Sequence, residues 1–385
     1  MKRLRGIAAL FLFLLFTAAL PAQTPQWSPK AATDWYTKQP WLVGANYIPA
    51  YAANQLEMWQ PDTFDIDRID MELGWAEGLG MNTMRVFLHN LLYQEDPGGF
   101  NSLHRRMDKF LASCKRHHIR PIFVLLDSCW DPFPKGGRQL PPRPGIHNSR
   151  WLQSPGAAVL SDPGQESKLL EYVENLILSF NADDRILAWD LWNEPDNVNT
   201  NSYGPTELPN KAALVQALLP KIFRYARAGL PSQPLTSGVW RGDWSDPSKL
   251  SLIEKTQLEL SDIVSFHNYG PPEDFEKRVG WLEQYHRPIL CTEYMARPTG
   301  STFQAILPIA KKYNVAAYNW GLVAGKTQTF LPWDSWQQPY VNRAPPLWFH
   351  DIFTTNGKPY NQEEVDFIKQ TIGRPGEKAK KAKGH

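Results

Sequence analysis

Short β-rich runs alternate with amphipathic helical runs along almost the whole chain, and this alternation limits the fold more than any other feature. Eight candidate strands follow in order at 42–47, 82–88, 121–126, 186–192, 235–239, 262–267, 289–292 and 315–320. Most are continuous apolar runs, as expected of strands buried on both faces. Helical periodicity fills the gaps at 65–79, 102–118, 165–180, 211–228, 273–285, 302–313 and 362–371, with a weaker segment at 247–255. In the first of these, Ile66, Ile69, Leu73 and Ala76 share a face and Gly80 stops the helix. Such alternation implies right-handed βαβ units and a parallel sheet. Eight units without a Gly-rich phosphate loop favour closure, so the fold class is α/β, a (β/α)8 TIM barrel in one domain.

The ends of the chain read differently. Residues 1–22 have a basic start (Lys2, Arg3, Arg5), an apolar run from Ile7 to Leu20 and small residues before a cut after Ala22. This is the pattern of a signal peptide, and it predicts a secreted or periplasmic protein. No later apolar stretch is long enough to span a membrane. Residues 373–385 read as a solvated basic tail. Of the formal +2, the leader carries three positive charges and the tail a net four, which leaves −5 on residues 23–372. A mildly acidic body argues against a nucleic-acid partner. Oligomeric state is not encoded in any such feature. The three cysteines, Cys114, Cys129 and Cys291, are too few for a disulfide scaffold and lack metal-ligand spacing. Buried free thiols are the default, with a Cys114–Cys129 bridge as the alternative.

Two strand ends carry chemistry. The fourth run, AWDLWNEPD at 188–196, ends in Asn193 and Glu194, and the seventh, PILCTEYMAR at 288–297, holds Glu293. Charged and polar side chains directly after an apolar strand are costly in a core but suit the open mouth of a barrel. Strands four and seven are three apart, so their tops can converge over the axis. Two carboxyl groups about 5 Å apart would serve hydrolysis with retention, and a gap of about 6.5–9.5 Å would serve inversion.

With these motifs in order, the chain resembles the clan A glycoside hydrolases, closest to the cellulase-like family 5 group, over roughly residues 41–372. GMNTMRVFL at 80–88 is similar to the second-strand motif, WNEP to the acid/base motif, SFHNYG at 265–270 to the sixth-strand motif and YNWG to the end of the eighth. The segment CTEYMAR departs from family 5 in its bulky Tyr294 and Met295. The resemblance implies a retaining O-glycosyl hydrolase acting on a β-linked oligo- or polysaccharide without metal or other cofactor. It implies Glu293 as nucleophile and Glu194 as acid/base. Arg85 and Tyr269 would support Glu293 and lower its pKa, His267 would contact Glu194, Asn193 would bind the sugar 2-hydroxyl, and Trp320 would underlie the sugar.

Sixteen tryptophans is high usage, and indole faces suit sugar C–H faces. The connections 131–161 and 321–349 follow strand C-terminal ends, on the face where barrels build sites. Trp130, Trp240, Trp244, Trp333 and Trp336 are candidate stacking platforms, and Lys326 and Gln328 candidate hydroxyl contacts. His89 and Asp127 sit at strand ends without an assigned role. The rival functions are a barrel that binds carbohydrate without turnover and a transglycosidase.

Overall fold

The computed structural model describes residues 23–96 and 98–373. The expected leader and all of the expected tail except Gly373 lie outside them. Eight parallel strands form one sheet in the order β5-β4-β3-β2-β1-β8-β7-β6. They are β1 (Val43–Tyr47), β2 (Thr83–Phe87), β3 (Arg120–Asp127), β4 (Ala188–Asn193), β5 (Leu235–Thr236), β6 (Val264–His267), β7 (Ile289–Tyr294) and β8 (Ala316–Trp320). A parallel bridge from Val239 to Phe266 joins the two ends of this order, so the sheet is a nearly closed (β/α)8 barrel. Apart from Arg120, every strand residue is buried, which explains the continuous apolar runs. At Gly44 the neighbouring strand comes so close that a Cβ would lie 1.9 Å from the Thr83 carbonyl oxygen.

The fifth strand is shorter than its apolar run suggests. The Ser237 N–H turns to the Ser261 hydroxyl, and the Gly238 carbonyl accepts from Gln257, so side chains take over two ladder positions. The weak helix expected at 247–255 is two elements. Asp246 caps a 3-10 turn at Pro247–Lys249, and a separate helix, Leu252–Leu260, starts from a capping box between Ser251 and Glu254. The other helices match expectation to within three residues. Gly80 ends the first of them at φ +88°, a left-handed position that favours glycine. Besides three short helices in connections, Gln55–Trp59, Leu91–Gln94 and Ala157–Ser161, the sequence reading passed over the helix Pro29–Tyr36. Its Ala32 and Tyr36 pack on Leu42, Ile122, Leu187, Ile263, Leu290 and Ala316 at the strand starts and plug the barrel floor.

The floor is thus apolar and the opposite rim carries the polar side chains. Among the described residues no helix is long and apolar enough to cross a membrane. The three cysteines are free, so the alternative Cys114–Cys129 bridge does not form.

Candidate active site

The rim is organised around one buried cation. Arg85 on β2 is fully buried and donates four hydrogen bonds, with Nη2 in a further ion contact to Asp190. Nε and Nη2 reach Asp190, Nη1 reaches Asn46 and Glu293, and Nη2 also reaches Asn193, at 2.8–2.9 Å. A guanidinium has the fixed fork that such an arrangement needs, which lysine lacks. β2 therefore orients residues from β1, β4 and β7 together.

Glu293 ends up between two donors. Arg85 Nη1 lies 2.8 Å from Oε1, and the Tyr269 hydroxyl donates to Oε2 at 2.8 Å. Glu194 directly follows β4 at φ +41°, a left-handed position unusual for glutamate that costs on the order of 1–3 kcal/mol. The turn closes when the Asn197 N–H bonds the Glu194 carbonyl at 2.9 Å. The Glu194 carboxyl accepts from Asn197 Nδ2 at 2.6 Å and from the Cys129 thiol at 3.3 Å. His267 Nδ1 stands between the two acids, 2.9 Å from Glu194 Oε1 and 3.5 Å from Glu293 Oε2. One oxygen of each acid and one His267 nitrogen all lie within 4.8 Å of one another.

These three side chains also have the donor set of a metal site, which linear spacing did not show. Glu293, however, already faces the Arg85 guanidinium. A second cation there would meet like charge, so the trio is better suited to moving protons.

Burial decides the titration of both acids. It raises Glu194 and Glu293 above the ordinary carboxylate range, with Asn197 and Cys129 opposing it at Glu194, and His267 and Arg85 at Glu293. The expectation that Arg85 and Tyr269 would lower Glu293 outright is therefore corrected, because desolvation in this closed site outweighs them. Two like charges this close favour one shared proton. Arg85 bonds directly to Glu293 alone of the two, so the negative charge belongs there and the proton on Glu194. Burial lowers His267 to about 4, so it is neutral near pH 7.

The cavity above the acids measures about 310 Å³ and is lined by Asn193, Tyr269, Trp130, Trp240, Trp320, Trp333 and Trp336, among others. Trp320 presses edge-on against Phe87 and Trp151, which fixes its plane. Trp130 and Trp336 stack on each other, centroids 5.7 Å apart and planes 3° from parallel. Three expected contacts lie elsewhere. Trp244 is fully buried against Phe266 and Trp281 and serves as core. Lys326 pairs with Glu57. Gln328 clamps the backbone of Arg143, Gly145 and Ile146, and so joins the two long connections instead of meeting a ligand.

The two unassigned strand-end residues separate. His89 is buried, is held by burial at a pKa of about 3, and does not line the cavity. Asp127 orients the site. It accepts from Asn193 Nδ2 at 2.9 Å, from the Cys129 N–H at 2.9 Å and from Trp151 Nε1 at 2.6 Å. Asn193 is thereby locked, with Oδ1 on Arg85 and Nδ2 on Asp127. Asp127→Asn would set an amide N–H against these donors. It is expected to lower kcat about 100-fold, with the fold retained by circular dichroism.

Sequence reasoning missed Asp190, Asn46, Asn197 and Cys129. Asn197 had a local signal, since it stands three residues past Glu194 in a Pro-containing turn. Beneath it Lys211 is buried with Glu207 and bonds the Ser128 and Asn197 carbonyls, tying the β3 and β4 loops together.

No protein-family model matches the chain, and no curated protein matches it. Solved structures do. An exo-β-1,4-mannosidase from Opitutaceae bacterium strain TAV5 is 19% identical with a TM-score of 0.57, over 86% of this chain and 59% of that one. An endo-β-1,4-mannanase from Thermotoga petrophila is 15% identical with a TM-score of 0.55, over 88% of this chain and 77% of that one. A glycoside hydrolase family 5 mannosidase from Rhizomucor miehei, as a point mutant, is 16% identical with a TM-score of 0.52, over 87% and 93%. The chain spans less than two thirds of the first of these. What it shares with all three is the barrel fold.

Proposed function

We propose that this chain is a retaining glycoside hydrolase of the family 5 kind that cleaves a β-linked glycan outside the cytoplasm. The observation that carries the reading is the short gap between Glu194 and Glu293, with acid oxygens within 4.8 Å. Retention needs carboxyl groups about 5–5.5 Å apart, and inversion needs room for a water between them, about 6.5–9.5 Å.

Glu293, ionised and aimed by Arg85 and Tyr269, attacks the anomeric carbon. The C1–O bond to the leaving group breaks as Glu194 delivers its proton to that oxygen. Glu194, now a carboxylate, then takes a proton from water, which attacks C1 and releases Glu293. Asn193 faces the sugar being cleaved, and Trp320 offers its ring beneath it. Secretion is supported by the leader-like pattern of residues 1–22.

Structural neighbours described as mannosidases and mannanases make β-mannosides the first substrates to try. The test is a panel of 4-nitrophenyl β-D-mannopyranoside, β-D-glucopyranoside and β-cellobioside with purified protein. At least one should release nitrophenol, at a rate unchanged by EDTA. Binding of the sugars without release would instead indicate a silent carbohydrate-binding barrel.

A further inference from the structure

The wall of the cavity that holds the catalytic acids has several polar atoms with no hydrogen-bond partner. Asn148 is completely buried, yet neither its Nδ2 nor its Oδ1 has a partner. The indole N–H of Trp336 and Nε2 of the fully buried His350 are also unpartnered. All three residues line the cavity that contains Glu194 and Glu293. A buried polar group without a partner is destabilising, so such groups on a cavity wall point to a ligand that completes them.

The chemistry of each atom can be assigned. His350 Nδ1 faces the Met295 carbonyl, which only accepts, so Nδ1 carries the proton. Burial lowers this ring well below the usual histidine range, so it is neutral and Nε2 is a bare acceptor. Trp336 offers one donor, and Asn148 offers both donors and an acceptor. Mixed donors and acceptors of this kind suit alcohol groups, each of which gives one hydrogen bond and takes others.

The wall is also held in place. The Asn148 N–H bonds the Thr327 carbonyl at 2.7 Å, the His147 N–H bonds the Ser335 hydroxyl, and Trp336 is stacked on Trp130. Both long connections thus present a fixed surface. No lysine or arginine lines the cavity, and burial keeps His147, at about 4, neutral as well.

We infer that Asn148, Trp336 and His350 form a recognition wall for the hydroxyl groups of a neutral sugar, and that they select against uronic acids. This rests on the glycosidase reading above. No lysine or arginine lines the cavity to match a carboxylate, and the ionised Glu293 would repel one.

The test uses the panel glycoside turned over fastest, its monodeoxy analogues and its uronic-acid counterpart. Asn148→Gly keeps the left-handed backbone found there, φ +48°. His350→Asn keeps a donor near Nδ1 and removes Nε2, whereas His350→Gln places an amide near Nε2. Asn148→Gly and His350→Asn should each lower kcat/KM about 10- to 100-fold, and His350→Gln should recover much of that loss. For one deoxy analogue the wild type should lose a similar factor and the matching variant should lose nothing further. The uronide should be cleaved at least 100-fold more slowly than the neutral glycoside.

Equal losses by the variants on every analogue would mean a structural role and overturn the inference, as would no loss at all or efficient cleavage of the uronide. Failure of the wild type on every glycoside would strike the glycosidase reading first, a result distinct from these.

Discussion

Glu293→Ala is expected to lower kcat/KM on an aryl glycoside by on the order of 10⁴-fold or more, about 5 kcal/mol of transition-state stabilisation. The side chain removed is the one that would form the covalent bond, and no other carboxylate has both the Arg85 and Tyr269 donors aimed at it. Thermal stability should fall little or even rise, because the desolvation cost of a buried carboxylate is removed while Arg85 keeps its pairing with Asp190. Sodium azide should rescue the variant. It fits the space the carboxyl leaves, forms a C–N bond on the face Glu293 would have used while the C1–O bond on the opposite face breaks, and so yields an α-glycosyl azide from a β-glycoside. Unimpaired turnover by Glu293→Ala would remove Glu293 from the reaction.

The second large effect depends on the leaving group. Glu194→Ala should slow release of a sugar or 4-nitrophenol by about 10²- to 10⁴-fold, the usual contribution of general acid catalysis. With 2,4-dinitrophenol, which leaves without a proton, the first step should be nearly unchanged and the glycosyl-enzyme should accumulate. Azide should then attack that intermediate from the face opposite Glu293 and give a β-glycosyl azide.

The pH profile follows from the same pair. Glu293 must be ionised and Glu194 protonated, so activity falls on the acid side as Glu293 gains a proton and on the alkaline side as Glu194 loses one. Burial raises both, so both limbs should lie above the ordinary carboxylate range. The alkaline limb should vanish from the first step of Glu194→Ala with the dinitrophenyl substrate. Persistence of that limb would mean another group supplies the proton.

The parts legible in the sequence were those set by periodicity. Apolar runs buried on both faces located all eight strands, and strand order then placed Glu194 and Glu293 on one rim. Arg85 and Tyr269 came from the family resemblance of GMNTMRVFL and SFHNYG and not from periodicity. Residues in irregular loops could not be read. Asn148 and His350 come from connections with no period, and only packing between those connections brings them to one cavity. Trp244 was misread because a loop tryptophan looks the same in sequence whether it turns outward or, as here, into the core. Apart from the Cys129 N–H two residues on, the partners of Asp127 were not readable along the chain, since its hydrogen bonds to Asn193 and Trp151 cross neighbouring elements. The Ser251–Glu254 capping box was visible as a Ser-x-x-Glu pattern and would have placed the helix start correctly.

Everything about the chemistry depends on two acids bracketing a single anomeric carbon, Glu293 at one face and Glu194 at the leaving oxygen. Proton NMR during the first minutes of hydrolysis of a β-glycoside reads this directly. The β-anomer of the released sugar should appear first, with the α-anomer growing later by mutarotation. An α-anomer formed first would mean single displacement by water and would contradict the assignment of Glu293 as nucleophile.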